Sequence, residues 1–217
     1  QFAVDQGYNN VFMIVNVFAN WSEKEKLELK NQIREVANIY INLLRQNKRV
    51  DFNQFNDMFK KIKQINKAEQ NNSFRDQAIR YPAFGRCGVG ATSFASVGAT
   101  GNLYSCQELT ENPELGDKFC IGNIYTGVDE NKRWEIINQF DPRNVIRNDG
   151  ESCKNCLLNK VCDGACLINN YFSNKDLNIM PSILCDYYQI VLNEAIRIMK
   201  IMAEEKNAFF KDIFERA

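Results

Sequence analysis

The residues best suited to chemistry in this sequence are its cysteines, because the 217-residue chain contains eight Cys and no His. The most compact set is Cys153-x2-Cys156-x5-Cys162-x3-Cys166, and the others are Cys87, Cys106, Cys120 and Cys185. Without imidazole, the chain itself offers no Cys–His pair, no His general base and no His-ligated metal. Any metal that this chain binds must therefore have thiolates and carboxylates as its protein ligands.

The compact Cys set lies in a segment, 153–186, that has little apolar periodicity. We therefore expect a bound metal to supply part of the folding energy of this segment. Disulfides suit a small secreted domain, and neither the length of the chain nor its first ten residues favour secretion. Zinc held by four thiolates and thiolate-bound iron–sulfur clusters both fit the residues, and eight Cys suffice for two clusters. The spacing alone leaves zinc and iron open.

Charge and hydropathy disfavour several other classes of protein. The 27 basic and 27 acidic side chains balance, so the chain lacks the excess positive charge that gathers nucleic acid or an anionic membrane surface. No apolar stretch approaches the ~20 residues of a membrane span. The sequence therefore predicts a soluble, cytoplasmic protein with no nucleic-acid or membrane partner.

Residues 1–81 contain the pattern of one βα unit. The run Val11–Phe18 is nearly continuously apolar, which is typical of a strand covered on both faces in a parallel sheet. Ser22 and Glu25 form a capping-box pattern that opens an amphipathic helix, and a second helix is predicted over 51–65. Since one βα unit cannot enclose a sheet, the sequence indicates that the chain is the tail of something larger.

The composition changes near Tyr81 and Pro82, because all Cys and Pro and every Gly except Gly7 follow that point. A hairpin is predicted there, with strands over 92–97 and 103–106 and turn glycines between them. A further strand over 119–125, a helix over 132–139 and one long helix from Asp186 complete the predicted elements. The predicted fold class is α+β.

The cysteine pattern resembles that of the SPASM domain, which lies at the C-terminal end of many radical S-adenosylmethionine enzymes. In that family a Cys, a Gly and a second Cys precede a CxxC-x5-C-x3-C block, and a last Cys follows it. Here Cys87, Gly101 and Cys106 precede the block and Cys185 closes it. The resemblance covers about 85–188. It implies the terminal βα elements of a partial TIM-type barrel and a connector over 1–81, a SPASM domain with loops organised by metal clusters over 82–190, and a C-terminal helix over 191–217.

The resemblance also implies two auxiliary [4Fe-4S] clusters with interleaved ligands. The second cluster would be held by Cys153, Cys156, Cys162 and Cys185, and the first by Cys87, Cys106 and Cys166. Some family members have a further Cys where this sequence has Ser93, so the fourth position of the first cluster is either open or filled by Cys120. The alternative role for Cys120 is that of a buried thiol acting as a small hydrophobe.

As a member of this family, the chain would be the auxiliary-cluster portion of a radical S-adenosylmethionine maturase that modifies a ribosomal peptide or a protein. The clusters would serve electron transfer and substrate binding. The family's CxxxCxxC, which binds the cluster that cleaves S-adenosylmethionine, is absent from this sequence. We therefore expect the chain to be inactive alone, with S-adenosylmethionine and a third cluster only in the parent enzyme. Its implied partners are the substrate, the remainder of the radical S-adenosylmethionine domain, and a reductant such as ferredoxin or flavodoxin.

Three alternative functions are weighed against this one. A zinc-stabilised, non-catalytic recognition domain would use the same thiolates. A fragment of a sulfatase-maturing enzyme would, by the family pattern, have an Asp general base directly after the second motif Cys, whereas this sequence has Gln107. An amide cannot take a proton in that role, which favours peptide crosslinking instead. An electron carrier of ferredoxin type would not need this length or a βα unit.

Overall fold

The computed structural model describes residues 2–68, 89, 92, 94–115, 117–141, 144–150, 153, 156–159, 161–162, 164 and 166–216. The chain forms two units, one from 1–67 together with 183–217 and one from 68–182. Cys87, Ser93, the boundary at Tyr81 and most of the connector lie outside the described residues. The sequence-based modules 1–81, 82–190 and 191–217 stay a prediction.

Both helices and short strands occur, as predicted for an α+β chain. In chain order the elements are α1 (Phe2–Asp5), β1 (Asn10–Val11), α2 (Glu23–Arg45), β2 (Asp51–Phe52), α3 (Asn53–Ala68), β3 (Ser96–Val97), β4 (Asn102–Tyr104), β5 (Cys120–Asn123), β6 (Gly127–Val128), α4 (Glu130–Asn138), β7 (Ile146–Arg147), α5 (Leu167–Asn174), β8 (Ile179–Met180), α6 (Ser182–Glu204) and α7 (Ala208–Arg216).

The start of α2 confirms the predicted capping box. The Ser22 hydroxyl accepts a hydrogen bond from the Glu25 N–H at 3.3 Å, and the Glu25 carboxylate accepts one from the Ser22 N–H at 2.8 Å. The two bonds satisfy N–H groups that have no partner inside the helix. Farther along, Ala37, Tyr40 and Leu44 recur at helical spacing and are fully buried. Helix α2 thus supplies one side of the core of the first unit.

The apolar run 11–18 differs from its prediction. Only Asn10 and Val11 form a strand, and β1 pairs with β2 in parallel. Val15 and Val17 are buried, whereas Phe12, Ile14 and Phe18 are 60–67% exposed. Within the described residues, therefore, one face of this run is covered and the other is not. The described residues thus contain one parallel strand pair with its helices, and the partial barrel stays a prediction.

The predicted single C-terminal helix is wrong, because the structure shows two. Helix α6 begins at Ser182, earlier than expected, and ends at Glu204. Lys206 then has a positive φ of 51°, a left-handed conformation that does not continue a right-handed helix. The side chain of Asn207 accepts the Phe210 N–H at 2.7 Å and so caps the start of α7. A left-handed residue followed by a capping Asn ends one helix and begins the next.

Aromatic packing joins α3 to α7 inside the first unit. Phe59 is fully buried, and its ring lies 5.4 Å from that of Phe210 and 6.0 Å from that of Phe214 in edge-to-face geometry. We expect Phe59→Ala to lower the free energy of unfolding by about 3–5 kcal/mol, because it removes these contacts and leaves a cavity. Phe18→Ala is the matched control and should change it by less than about 0.5 kcal/mol, since that ring is exposed. Denaturant titration of both variants measures the difference; equal losses would contradict this account of the core.

The second unit contains a four-stranded antiparallel sheet in the order β3-β4-β5-β6 and a separate parallel pair, β7-β8. The predicted hairpin is confirmed: Ser96 pairs with Tyr104 and Val97 with Leu103, and Gly101 in the turn has a φ of +84°. The predicted strand over 119–125 is β5, and the predicted helix over 132–139 is α4. Cys120 lies in β5, and Cys106 follows β4.

Candidate functional site

The hairpin positions Cys106. Leu109 donates its N–H to the Cys106 carbonyl at 3.1 Å, which closes a short 3-10 turn directly after β4. The hairpin turn is tied to the same segment by Glu111, whose carboxylate accepts the Thr100 N–H at 2.7 Å and the Thr100 hydroxyl at 2.6 Å. These two bonds lower the pKa of Glu111. Cys106 therefore lies in a segment that hydrogen bonds hold against the hairpin.

Cys120 lies at the start of β5, in register with Tyr104 of β4. Because Cys106 follows Tyr104 by two residues and the strands are antiparallel, the two thiols lie at the same end of the β4–β5 pair. The Cys120 sulfur is 3.3 Å from the Gly122 carbonyl oxygen, to which the thiol donates. Cys120 is partly exposed, so it is not the buried thiol that the alternative interpretation expected.

The CxxC at Cys153 and Cys156 forms a hydrogen-bonded turn. The Cys156 N–H donates to the Cys153 carbonyl at 3.1 Å. Two further turns follow. The Asn159 N–H donates to the Cys156 carbonyl at 2.9 Å, and the Val161 N–H donates to the Leu158 carbonyl at 3.0 Å. Leu158 and Val161 are both buried, so this segment contributes more side chains to the apolar core than its sequence pattern predicted. The successive turns bring the backbone of these two cysteines close together.

Three hydrogen bonds hold Cys162, Gly164 and Cys166 in place. The Gly164 N–H donates to the Cys162 sulfur at 3.4 Å. The Gly164 carbonyl accepts a hydrogen bond from the side-chain amide of Asn170 at 2.9 Å. Cys166 stands directly before α5, and its carbonyl accepts the Asn170 backbone N–H at 3.0 Å. The loop therefore holds two candidate ligand sulfurs next to one helix start.

Cys185 lies in the first turns of α6, is buried, and belongs to the first unit. The other six described cysteines belong to the second unit, and Cys87 lies outside the described residues. The assignment of these thiols to two clusters stays a prediction.

The donor set fits thiolate-bound iron. Six of the seven described cysteines are at least partly exposed, and the chain has no imidazole to compete with them for a metal. Among the residues that the structure describes, no three Cys, Asp or Glu side chains are arranged around a single ion. That observation concerns a single ion; a four-iron cluster is bulkier and holds its Cys thiolates farther apart.

Sequence reasoning missed the elements that hold the Cys162–Cys166 loop. It treated 153–186 as lacking regular structure, whereas the structure contains α5 and β8 there. Leu167, Ile168 and Tyr171 recur at helical spacing directly after Cys166, and that signal could have revealed α5. No local signal marks Asn170, because an Asn inside a helix usually faces solvent rather than binding a distant carbonyl.

Comparison with solved structures shows a similarity in fold. The chain is similar to a solved structure of hexahistidine-tagged anSMEcpe with bound AdoMet, with a TM-score of 0.59, 15% sequence identity and 94% of this chain covered. That protein is an anaerobic sulfatase-maturating enzyme of a radical S-adenosylmethionine family. This chain covers 50% of the length of that chain. No protein-family model and no curated protein matches the sequence.

At 15% identity this similarity establishes the fold alone. The mixed arrangement of helices and small sheets described above is therefore one that a radical S-adenosylmethionine enzyme also adopts over half its length. Among the described helices, none is long and apolar enough to cross a membrane.

Proposed function

We propose that this chain is the auxiliary-cluster portion of a radical S-adenosylmethionine enzyme that modifies a ribosomal peptide or a protein. The observation that carries the proposal is the ordered set of seven cysteines and Gly101, found in a chain whose fold is similar to half of a radical S-adenosylmethionine enzyme. The cysteine pattern comes from the sequence and the fold similarity from the structure. Their agreement is the main support for this function.

The proposed ligands follow the sequence pattern. Cys153, Cys156 and Cys162 with Cys185 hold one [4Fe-4S] cluster, and Cys87, Cys106 and Cys166 hold the other. When bound, such clusters supply one-electron redox chemistry, and the protein sets their potential through burial and through hydrogen bonds to sulfur. The Cys120 sulfur lies 3.3 Å from the Gly122 carbonyl oxygen of its own strand, so we propose that Cys120 is not a ligand and that the fourth position of the first cluster is open. An open iron offers a place for a substrate group.

The exposed face of the run 12–18 supports a function within a larger assembly. Groups of large exposed apolar side chains commonly mark surfaces that bind other proteins or domains. Phe12, Ile14 and Phe18 form such an uncovered face next to the parallel pair β1–β2. We propose that this face packs against the remainder of a radical S-adenosylmethionine domain, consistent with a chain that spans half of the solved structure it matches. The reductant and the substrate would be further partners of that assembly.

Sulfatase maturation is the second candidate function, because the matched structure is a sulfatase-maturating enzyme. The residue after Cys106 weighs against it. Gln107 lies in the 3-10 turn, and its side-chain oxygen is 4.0 Å from the Cys106 sulfur. An amide cannot act as the general base expected at that position, and the next residue, Glu108, is exposed. Peptide crosslinking is therefore the activity we propose for the parent enzyme.

Anaerobic reconstitution with iron and sulfide tests the proposal directly. The proposed function predicts a brown protein with about eight iron atoms and as many acid-labile sulfides per chain when two [4Fe-4S] clusters assemble. A zinc-stabilised recognition domain would instead stay colourless and retain zinc through the same treatment. Metal analysis of the purified protein distinguishes the two, and a zinc-only result would overturn the proposal.

We expect no cleavage of S-adenosylmethionine by this chain alone. That reaction requires a cluster with one free iron, held by three closely spaced cysteines, and the sequence contains no CxxxCxxC. The reconstituted chain, given dithionite and S-adenosylmethionine, should form no 5′-deoxyadenosine above background by chromatography. Nucleoside formed in excess of the protein concentration would contradict both the absence of that site and the proposed allocation of the thiols.

A further inference from the structure

The Cys162–Cys166 loop contains a hydrogen bond that points directly at a candidate ligand sulfur. The Gly164 N–H lies 3.4 Å from the Cys162 sulfur, within range of an N–H···S hydrogen bond. Hydrogen bonds to ligand sulfurs are one of the means by which a protein sets the potential of an iron–sulfur cluster. The backbone of Gly164 is therefore placed to influence whatever metal group Cys162 binds.

The position of Gly164 cannot accept a side chain. Its φ is +80°, a conformation that only glycine adopts readily, and a Cβ atom there would lie 2.9 Å from the Phe140 Cζ atom and 3.0 Å from the Val145 Cγ2 atom. Phe140 and Val145 are both buried, so neither can move aside easily. The N–H of Gly164 is thus held against Cys162 by packing as well as by backbone conformation.

Asn170 binds the carbonyl group of Gly164. Its side chain is fully buried, and Nδ2 donates to the Gly164 carbonyl and to the Leu177 carbonyl, each at 2.9 Å. Both partners are carbonyl oxygens, which fixes the orientation of the amide because only its nitrogen can donate. Asn170 therefore links the Cys162–Cys166 loop to the chain that leads into β8. Both hydrogen bonds of the amide come from Nδ2, whereas the buried Oδ1 atom has no hydrogen-bond partner among the described residues.

We propose that Gly164 and Asn170 tune the cluster that Cys162 binds. Gly164 donates its N–H to the ligand sulfur, and Asn170 is the positioning residue that keeps Gly164 in place. The inference rests on the proposed function, since it requires a cluster at Cys162. A reduced cluster carries more negative charge on its sulfurs than an oxidised one, so this hydrogen bond stabilises the reduced form. Loss of the bond therefore makes the midpoint potential more negative.

Two variants and two matched controls test the proposal on the reconstituted protein. Asn170→Leu keeps the approximate size of the side chain and removes both donors. Its control is Asn174→Leu in the same helix, which removes a bond to the Ile179 carbonyl of 2.8 Å that does not reach the loop. Gly164→Ala introduces the Cβ clash. Its control is Gly150→Ala, which imposes the same kind of strain at a φ of +79° where a Cβ meets nothing within 4 Å.

Redox titration followed by electron paramagnetic resonance gives the readout. In Asn170→Leu and Gly164→Ala we expect one of the two clusters to shift to a more negative midpoint potential, or to be lost, while the other is unchanged. The two controls should keep both clusters and both potentials. Unchanged potentials in Asn170→Leu and Gly164→Ala, with full iron content, would overturn the proposal. So would equal shifts in the variants and their controls.

A measurement on the wild-type protein keeps the test independent of whether the variants fold. If an exchangeable N–H donates to a ligand sulfur, transfer from H2O to D2O should shift Fe–S stretching bands in the resonance Raman spectrum. Bands that do not move in D2O would overturn the inference while leaving the proposed function intact. A wild-type protein that binds no iron would instead overturn the proposed function itself.

Discussion

Replacement of Cys156 by alanine should remove about half of the bound iron, because it takes one of four thiolate ligands from the second proposed cluster and leaves the first intact. The structure places Cys156 in a hydrogen-bonded turn with Cys153, so the backbone is expected to keep its conformation when the sulfur is removed. Iron and acid-labile sulfide per chain, measured after anaerobic reconstitution, give the result. Full retention of iron would contradict the assignment of Cys156 as a ligand.

Cys120→Ala is the matched control for this experiment. It also removes one partly exposed thiol from the second unit, yet the Cys120 thiol donates to the Gly122 carbonyl of its own strand. We therefore expect its iron content to stay close to that of the wild type. If Cys120→Ala lost a whole cluster, Cys120 would be the fourth ligand and the first cluster would have no open position.

The second large effect concerns the coupling of metal to fold. Removal of the clusters by chelation should greatly increase hydrogen exchange at the Cys156, Val161 and Gly164 amides, because their turns lie in a loop-rich segment that bound metal would stabilise. The amides of Ala37 and Leu44 should stay protected, since the core of α2 is built from buried apolar side chains and contains none of the proposed ligands. Exchange monitored by mass spectrometry before and after chelation measures both regions.

The amides of α2 serve as the internal control for the amides of the cysteine turns. Equal protection of both regions after cluster loss would show that the turns fold without metal. Equal loss of protection would show that α2 also depends on metal, contrary to its apolar core. Leu158 and Val161 are the side chains that would maintain some order in the metal-free loop, because both are buried.

Several features were predictable because their causes are local. The capping box depends on Ser22 and Glu25, three residues apart, and the hairpin on glycines between two short apolar strands. The cysteine spacing is likewise contained in the sequence, and with it the candidate ligands. Hydrogen bonds and turn conformations that involve residues a few positions apart leave a pattern that a sequence displays directly.

Other features were decided only by the tertiary structure. The pairing of Ile146 with Ile179, the position of Phe140 where a Gly164 side chain would lie, and the bonds of Asn170 all join residues whose sequence neighbours carry no sign of the partner. The exposure of Phe12 and Phe18 also depends on which elements are present to cover them, not on their own hydrophobicity. The sequence by itself therefore determined which residues are available for metal binding. How the Cys162 loop is held was decided by tertiary packing, because Phe140 and Val145, which lie far from Gly164 in the sequence, leave no room for a side chain there.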